Sequence, residues 1–362
     1  MPKQPDAQLV QAVNAALSAE LSSFSPDAAD TPFDVLGFDS FSMLSLRIRI
    51  EQVLGSSIGD EAWVALTTPA QLLALVANSH RERRPPDDAS RSQHASRRYV
   101  LNMPQMAVSG LSESWLFKEL GDIHWAMITD GLRVSSSELR DGTGERLYAT
   151  FSRIRFESTH PLSAFTENEE VVLNGRITRF GGGMFFSDIL VSGAAKSIRA
   201  SVMSTFTKRG VPTSNDALLR GQPFIPPDCP IPALAEMPSF GEAYRRRRSS
   251  VLTPPSFECE YQIIPFHDIN GVGLLYFAAY PIISDICELR YMRQGNRWAS
   301  RASTVSRDIC YFANCDMDEL LIYRVHARQE LGPRVEIESS IARAKDGTLM
   351  AHLVTDKELI GG

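Results

Sequence analysis

The sequence predicts an α+β protein in which a small helical bundle precedes a larger unit made of two similar halves. Three observations predict this class. Apolar residues recur at helical spacing through the first 80 residues, and a charged, proline-interrupted stretch follows them. Residues 100–362 then contain a weak internal repeat, in which one helical pattern is followed by several alternating, strand-like patterns.

Residues 1–80 are predicted to form a four-helix bundle. The first helix is indicated by apolar residues that share one helical face, namely Leu9, Val10, Val13, Leu17 and Leu21. A second apolar helix follows Ser40, and the last begins near Pro69, a residue that suits the first turn of a helix.

The stretch Leu36-Gly-Phe-Asp-Ser-Phe41 stands at the start of the second helix. Serine is a natural N-cap, and a helix start favours a bound phosphate. The stretch resembles the Leu-Gly-x-Asp-Ser-Leu motif of acyl carrier proteins, with Phe41 in place of the leucine. That resemblance implies 4'-phosphopantetheine on Ser40, beside Asp39, attached by a phosphopantetheinyl transferase. An unmodified serine cap is the alternative.

Residues 81–99 are charged, poor in apolar residues and interrupted by Pro85-Pro86. Such a composition predicts a flexible linker. A linker of this kind would hold a carrier arm near a partner site at high effective concentration.

The repeat divides the remainder into a first half (100–210), a crossover (211–256) and a second half (257–362). Each half begins with a glycine-started helix that carries an aromatic residue one turn in, Trp115 or Tyr276. Strands are predicted in matching order, at 168–173, 184–191 and 198–207 in the first half and at 317–322, 334–342 and 349–356 in the second.

The turn Asp268-Ile-Asn-Gly-Val-Gly273 precedes the apolar helix of the second half. We expect Gly271 and Gly273 to open this helix, so that the N–H groups of Gly271, Val272 and Gly273 point at a ligand. The turn and the aromatic helix resemble the central helix of hot-dog enzymes, which act on acyl thioesters. Two such halves imply a double hot-dog domain with active sites at the seam between them. A capped, buried helix without a site is the alternative.

Three blocks carry a closer resemblance: Met103-Pro-Gln-Met-Ala107, Gly110-Leu-Ser-Glu-Ser-Trp-Leu116 and Asp268-Ile-Asn-Gly-Val-Gly-Leu-Leu-Tyr-Phe277. With them, residues 100–360 resemble the bifunctional acyltransferase/decarboxylase of leinamycin-type polyketide biosynthesis. The resemblance implies decarboxylation of methylmalonyl-CoA or malonyl-CoA and transfer of the acyl group to a carrier protein. Polyketide synthase modules or β-branching enzymes would be the partners.

The same family is expected to acylate a tyrosine on the strand after the first central helix. Tyr148 is the only tyrosine in the matching stretch 147–156, but the alignment that we favour places Ser152 at the nucleophile's position. Either hydroxyl can carry an ester if a neighbouring group takes its proton. Without such a group, the domain would decarboxylate or transfer without a covalent step.

Loss of CO2 from a malonyl-type thioester leaves an enolate, so the site must stabilise negative charge. The N–H groups at 271–273 and the amide of Asn270 are the predicted donors, and Asp268 or His267 is the predicted group for the later protonation. The pantetheine thiol on Ser40 would accept the acyl group. The alternatives are a hot-dog thioesterase that acts on carrier-bound intermediates and a non-catalytic scaffold that docks the carrier.

A net charge of −6 argues against a nucleic-acid partner. No apolar run is long enough to span a membrane, and the N-terminus lacks the pattern of a signal peptide. Five cysteines without Cys-x-x-Cys pairing predict reduced thiols, a cytoplasmic location and no bound metal. The sequence leaves the oligomeric state, including a homodimer, open.

Overall fold

The computed structural model describes residues 7–21, 24–54, 58, 60–83, 94–211, 214–294 and 302–359. The chain divides into two compact units, Met1–Asp88 and Ala89–Gly362. Each unit has its own buried apolar core.

The first unit is a bundle of α1 (Ala7–Glu20), α2 (Ser40–Leu54), α3 (Asp60–Val64) and α4 (Pro69–Arg83). Its helices bury one apolar face each, and the core contains Leu17, Leu46, Ile50, Trp63 and Leu72. Pro69 is the first residue of α4, as predicted from its position before an amphipathic segment.

The second unit is built on one large sheet, antiparallel apart from a two-residue strand, and has a small separate sheet formed by residues 106–107 and 110–111. The strands of its first half are β1 (His94–Val100), β2 (Met106–Ala107), β3 (Gly110–Leu111), β4 (Tyr148–Ser158), β5 (Glu170–Phe180), β6 (Met184–Ser192) and β7 (Ser197–Val211). Those of the crossover and the second half are β8 (Ser214–Gly221), β9 (Ala233–Leu234), β10 (Phe257–Gln262), β11 (Ala302–Tyr311), β12 (Leu320–Leu331), β13 (Arg334–Arg343) and β14 (Leu349–Leu359).

The order of the strands repeats about the centre of the sheet. The path runs β1-β5-β6-β7-β4 and then β11-β14-β13-β12-β10, so the two halves meet where β4 pairs with β11. The strands predicted from the repeat are confirmed in both halves. The repeated order explains why similar sequence patterns recur in the two halves.

The helices of the second unit are α5 (Glu113–Leu132), α6 (Ser239–Ser249), α7 (Pro265–Asp268) and α8 (Tyr280–Gln294). The long helices α5 and α8 pack on the sheet and on each other, and contribute Leu116, Phe117, Leu120, Ile283 and Cys287 to the main core. No helix in the described ranges is both long and apolar enough to cross a bilayer.

Two predictions about segment boundaries are wrong. Residues 94–99, assigned to the flexible linker, belong to β1, an edge strand that pairs with β5. The strand has a polar outer face and a partner more than 70 residues away, so its local composition resembles that of a linker. The first residues of the predicted linker, up to Arg83, belong to α4. Residues 84–93 lie outside the described part of the chain.

The second error concerns the start of the apolar helix. Gly271 and Gly273 do not open it, because α8 begins at Tyr280 after a short 3-10 turn. Residues 269–275 form a closed loop instead, with Ile269 and Leu275 paired across its base. The crossover likewise contains ordered elements, β8, β9 and α6, that its proline content did not predict.

Candidate active site

The loop that carries Asn270 is held in shape by that residue's own side chain. Asn270 Oδ1 accepts hydrogen bonds from the N–H groups of Val272 (3.1 Å) and Leu274 (3.0 Å). The N–H of Gly273, which has a φ of +81°, donates to the carbonyl of Asn270 (2.9 Å). The structure therefore contradicts the prediction that Gly271, Val272 and Gly273 present free helix-start N–H groups, because two of the three are engaged within the loop.

The amide nitrogen of Asn270, unlike its amide oxygen, is not used to hold the loop. Asn270 lines a cavity of about 330 Å³, and its Nδ2 donates to no acceptor among the residues that the structure describes. Since Oδ1 is fixed by two backbone donors, the orientation of the amide is fixed as well. Asn270 thus offers the cavity a positioned, neutral hydrogen-bond donor.

Asp268 lies behind the loop rather than in the cavity. It is 2% exposed, and its Oδ2 accepts from the hydroxyl of Tyr261 (3.0 Å) and the N–H of Ile264 (2.8 Å). Burial, and secondarily the charge of Asp268, raises the pKa of Tyr261 well above its usual value. This position assigns Asp268 to the folding of the turn and gives no contact for the predicted proton transfer.

The cavity beside Asn270, here called the aromatic cavity, lies between α5, the start of β4 and the 269–277 loop. Its walls include Trp125, Tyr148, Phe151, Tyr276 and Phe277. The rings of Phe151 and Phe277 pack with centroids 4.1 Å apart. Such walls exclude water and suit an acyl group.

Tyr148 stands at the entrance of β4, between two guanidinium groups. Arg146 and Arg209 lie 5.2 and 5.6 Å from the centroid of its ring, within the range of cation–π attraction. Arg209 also donates to the carbonyl of Val272 and so ties β7 to the Asn270 loop. The Tyr148 hydroxyl has no hydrogen-bond partner in the described residues, which leaves it available to a ligand in this cavity.

Ser152 lines a second cavity of about 440 Å³. The pairing of β4 with β7 skips this residue, so Ser152 is a β-bulge that turns a buried hydroxyl away from the regular ladder. Its Oγ lies 3.3 Å from Thr205 Oγ1. Arg220, Arg245 and Arg248 stand on the same cavity, which we call the arginine-edged cavity.

Sequence reasoning missed Tyr244, a residue of α6 that lines the arginine-edged cavity. Its hydroxyl donates to the carbonyl of Tyr311 (3.0 Å) and interacts with Ser152 and Arg248. Burial raises the pKa of Tyr244, and the positive charge of Arg248 opposes that rise. Tyr244 lies in the proline-rich crossover, directly before the run Arg245–Arg248, which the sequence offers either as a phosphate contact for coenzyme A or as a solvated surface.

The two cavities adjoin each other. They share Thr150, Phe151, Tyr311, Ala313 and Asn314 as lining residues. The structure therefore brings the two predicted nucleophiles, Tyr148 and Ser152, to neighbouring walls of one seam, where β4 runs past the end of its pairing with β11 and pairs with β7 only.

The described walls of these cavities carry few groups that could activate water. No histidine is among their lining residues in the described chain, and the carboxylates of Asp122 and Asp216 pair with Arg97 (2.5 Å) and Lys345 (2.5 Å). His124 is buried behind Phe151, with its ring nitrogens 2.7 and 2.8 Å from the hydroxyls of Ser187 and Ser204. Burial lowers the pKa of His124 to about 3, so the ring is neutral.

The first unit presents the predicted attachment site at a helix start. Asp39 Oδ1 caps α2 by accepting from the N–H and the hydroxyl of Ser42, both at 2.7 Å. Ser40 is the first residue of α2, and its side chain lies outside the described part of the structure. Beside Asp39 runs a groove lined by Phe38, Met43 and Trp63. A helix start for a phosphate and an adjacent apolar groove fit a phosphopantetheine group.

No grouping of three or more His, Cys, Asp or Glu side chains able to hold a metal occurs within the described ranges.

Comparison with known proteins supports a carrier domain in the first unit. Residues 7–76 match the profile of the family described as "Phosphopantetheine attachment site". The oxytetracycline polyketide synthase acyl carrier protein of Streptomyces rimosus is 40% identical over 50 residues, which are 14% of this chain and 53% of that protein. The chain thus spans about half the length of this relative.

The second unit resembles solved thioesterases. It aligns with an oleoyl thioesterase from Lactobacillus plantarum (TM-score 0.53, 9% identity, 74% of this chain and 96% of that one). It also aligns with the 12:0-ACP thioesterase of Umbellularia californica (0.50, 11%, 74% and 98%) and an acyl-ACP thioesterase of Bacteroides thetaiotaomicron (0.50, 12%, 75% and 100%). At these identities the likeness establishes the fold alone. The chain combines a first unit that matches the phosphopantetheine-attachment family with a larger antiparallel-sheet unit whose fold resembles that of hot-dog thioesterases.

Proposed function

We propose that the second unit is a double hot dog that decarboxylates a malonyl-type thioester and loads the resulting acyl group on the phosphopantetheine of Ser40. The observation that carries this proposal is the seam itself. It offers hydroxyl groups on Tyr148 and Ser152 and a positioned amide donor on Asn270, without a histidine or an unpaired carboxylate on its described walls.

The double hot-dog assignment rests on the repeated strand order and on the thioesterase fold of the unit. A carrier domain in the same chain adds a reason for transfer. Its phosphopantetheine arm supplies a thiol that can carry the acyl group as a thioester. Because the thiol is tethered, its effective concentration at the second unit is high whenever the connecting segment can span the distance.

The first step is the breaking of the bond between the carboxylate and the α-carbon. CO2 leaves, and the electron pair becomes an enolate whose charge rests on the thioester oxygen. Asn270 Nδ2 and the Tyr148 hydroxyl line the same cavity and are the donors for that oxygen. The walls formed by Trp125, Phe151 and Phe277 withhold water from the carboxylate, which favours its loss.

The second step adds a proton to the α-carbon and completes a saturated acyl thioester. Asp268 is not on the cavity, so the proton comes from solvent or from the Tyr148 hydroxyl. The pantetheine thiol then attacks the acyl carbonyl and forms a new thioester. The original thiol, that of coenzyme A, leaves with the proton. Tyr148 and Ser152 remain the candidates for an intermediate oxygen ester, and each stands on one of the two adjoining cavities.

Hydrolysis is the second candidate function, and the fold of three solved thioesterases favours it. A thioesterase must activate water. Asp122 and Asp216, the carboxylates on the described walls of the cavities, are held in ion pairs with Arg97 and Lys345, and no histidine stands beside them there. Transfer to a thiol needs no such base for water, and we therefore rank it above hydrolysis.

Intact-protein mass spectrometry separates the candidates. The phosphopantetheinylated protein is incubated with methylmalonyl-CoA or malonyl-CoA and weighed. We expect a propionyl or acetyl mass on the phosphopantetheine of the wild type and no acylated phosphopantetheine on Ser40→Ala, whose only possible acyl mass is an oxygen ester on Tyr148 or Ser152. Free acid in solution would identify a thioesterase, and an unmodified protein without product would identify a docking scaffold. Tyr148→Phe and Ser152→Ala, compared in the same assay, show which hydroxyl is acylated.

A further inference from the structure

The rim of the arginine-edged cavity carries positive charge. Arg245 and Arg248 project from α6, and Arg220 comes from β8; all three are exposed. The floor of the same cavity contains the buried residues Ser152 and Met203. The cavity therefore leads from a cationic mouth to a buried hydroxyl.

These three arginines have no carboxylate partner among the described residues. The one acidic side chain on the cavity wall, Asp216, is bound by Arg343 and by Lys345. Their neighbour Arg247, on the same helix, does pair with an acid, since its Nη1 lies 3.2 Å from Asp308. Uncompensated cations at the mouth of a cavity favour an anionic ligand, and guanidinium groups suit phosphate.

The wall between mouth and floor is polar. Thr150 Oγ1 lies 2.7 Å from Thr207 Oγ1, and Thr205 and Asn215 extend the same lining. The adjoining aromatic cavity is lined instead by the aromatic side chains of Trp125, Tyr276 and Phe277. A phosphopantetheine thioester has the same order of groups: a phosphate, then a chain with two amides, then the sulfur with its acyl group.

We propose that Arg220, Arg245 and Arg248 bind the phosphate of a phosphopantetheine group whose amides lie along the threonine wall. The thioester would then reach the wall around Phe151 that both cavities share, and its acyl group would enter the aromatic cavity. The part of this proposal that concerns the thioester rests on the proposed function. The phosphopantetheine belongs either to coenzyme A or to the carrier arm on Ser40.

Calorimetric titration tests the site without turnover. Full-length Ser40→Ala protein, which lacks its own arm, is titrated with 4'-phosphopantetheine and with pantetheine, its analogue without phosphate. We expect at least tenfold tighter binding of the phosphorylated compound. Adding Arg245→Gln and Arg248→Gln should remove that preference and leave the affinity for pantetheine unchanged.

Arg246→Gln is the matched control, because Arg246 is exposed on the same helix but does not line the cavity. It should keep the full preference. Equal binding of the two compounds by Ser40→Ala protein would overturn the proposal, and so would a loss of preference in Arg246→Gln as large as that in the cavity variants.

Titration with coenzyme A distinguishes the two sources. If the arm of Ser40 occupies the site, the phosphopantetheinylated wild type binds coenzyme A more weakly than Ser40→Ala does. Equal affinities identify coenzyme A as the ligand. Phosphate-dependent binding without acyl loading would support this phosphate site and refute the proposed function. Acyl loading without phosphate-dependent binding would support the proposed function and refute this phosphate site.

Discussion

The repeated topology gives the second unit two seams, and they differ in what fills them. The pairing of β4 with β7 skips Ser152, and the pairing of β11 with β14 skips Val305, so the two bulges occupy corresponding places. Beside the first bulge lies the open seam, with its two cavities. Beside the second lies what we call the closed seam, around Gly110 and Arg307.

At the closed seam, Gly110 packs directly on residues 162–163, and a Cβ added to it would lie 2.2 Å from the carbonyl oxygen of Leu162. Ser303 bridges the contact by donating to the carbonyl of Ser109 (3.1 Å) and accepting from the N–H of Ser163 (2.8 Å). Ser303 lies two residues before the Val305 bulge, and Thr150 lies two residues before the Ser152 bulge. Thr150 instead lines both cavities of the open seam.

The closed seam also contains a buried ion network. Arg307 is fully buried and contacts Glu113, Asp285 (2.6 Å) and Glu288 (3.8 Å). Lys357 reaches Asp285 (2.8 Å) from β14. Lys357 and Arg307 hold the pKa of Asp285 at about 2 against the effect of burial. The closed seam therefore contributes ion pairs that stabilise the fold. The open seam contains the two cavities in which the proposed reaction would take place.

The largest effect that separates the seams should come from Arg307→Met. The change leaves buried carboxylates without their main partner, and we expect the free energy of unfolding of the second unit to fall by about 3–5 kcal/mol. Chemical denaturation measures it. Arg324→Met is the control, because its ion pair with Glu258 is exposed (2.6 Å) and is worth at most about 1 kcal/mol. Equal losses in the two variants would show that the network is not a stabilising element.

In the open seam, Asn270→Asp should affect chemistry instead. The carboxylate still accepts from Val272 and Leu274 and so preserves the loop, but it cannot donate to the thioester oxygen. We expect acyl loading to slow by about 10²–10³-fold. Ser303→Ala is the closed-seam counterpart and should lower stability by about 1–3 kcal/mol while leaving the loading rate unchanged. If acyl loading slowed in Ser303→Ala and not in Asn270→Asp, the reaction site would lie at the closed seam and not at the open one.

The pH dependence of stability distinguishes the neutral His124 behind the open seam from the charged network of the closed one. Unfolded histidine binds a proton near pH 6.5, whereas burial lowers the pKa of His124 to about 3. Its contribution to stability is therefore complete above pH 6.5 and is lost as the pH falls towards 3. Relative to His124→Gln, wild type should lose about 1.4 kcal/mol per pH unit between pH 6 and 4. Denaturant unfolding at several pH values measures the difference, and parallel curves would contradict a neutral His124.

The smallest expected difference concerns two glycines. Gly110→Ala places a methyl group against backbone at a φ of +107° and should cost about 1–3 kcal/mol. The atoms nearest to the Cβ of Gly121→Ala belong to a side chain and not to backbone: they are those of the Phe277 ring (2.2 Å to its Cζ), which borders the aromatic cavity. The net cost of this substitution should stay below about 1 kcal/mol, because alanine also favours the helix. Thermal unfolding compares them, and a larger loss in Gly121→Ala would show that the open seam cannot accommodate the ring.

Much of the architecture could be predicted from local patterns. The runs that became β6, β7 and β13 each contain a stretch in which buried and more exposed residues alternate, and that periodicity is visible in the sequence. The start of α8 could not be predicted in this way. A Gly-x-Gly turn before an apolar run is compatible with a helix start, but the side chain of Asn270 captures the N–H groups that the helix would have left free.

The candidate site was predicted only in part. Tyr148, Ser152 and Asn270 were named from a family resemblance, and the structure brings them to adjoining cavities. Tyr244 and Arg307 were missed. Their partners come from segments distant in the chain, Tyr311 in one case and Glu113 with Asp285 in the other. No local periodicity encodes such contacts.

Under the proposed function, the open seam releases CO2 and delivers the remaining acyl group to Ser40. The most direct measurement uses methylmalonyl-CoA labelled with ¹³C in its free carboxylate, and counts labelled CO2 and acylated protein together. We predict one labelled CO2 for each propionyl group on Ser40, and neither product from Asn270→Asp on the same timescale. Release of free methylmalonate with the label retained, or of free propionate without acylated Ser40, would contradict the account.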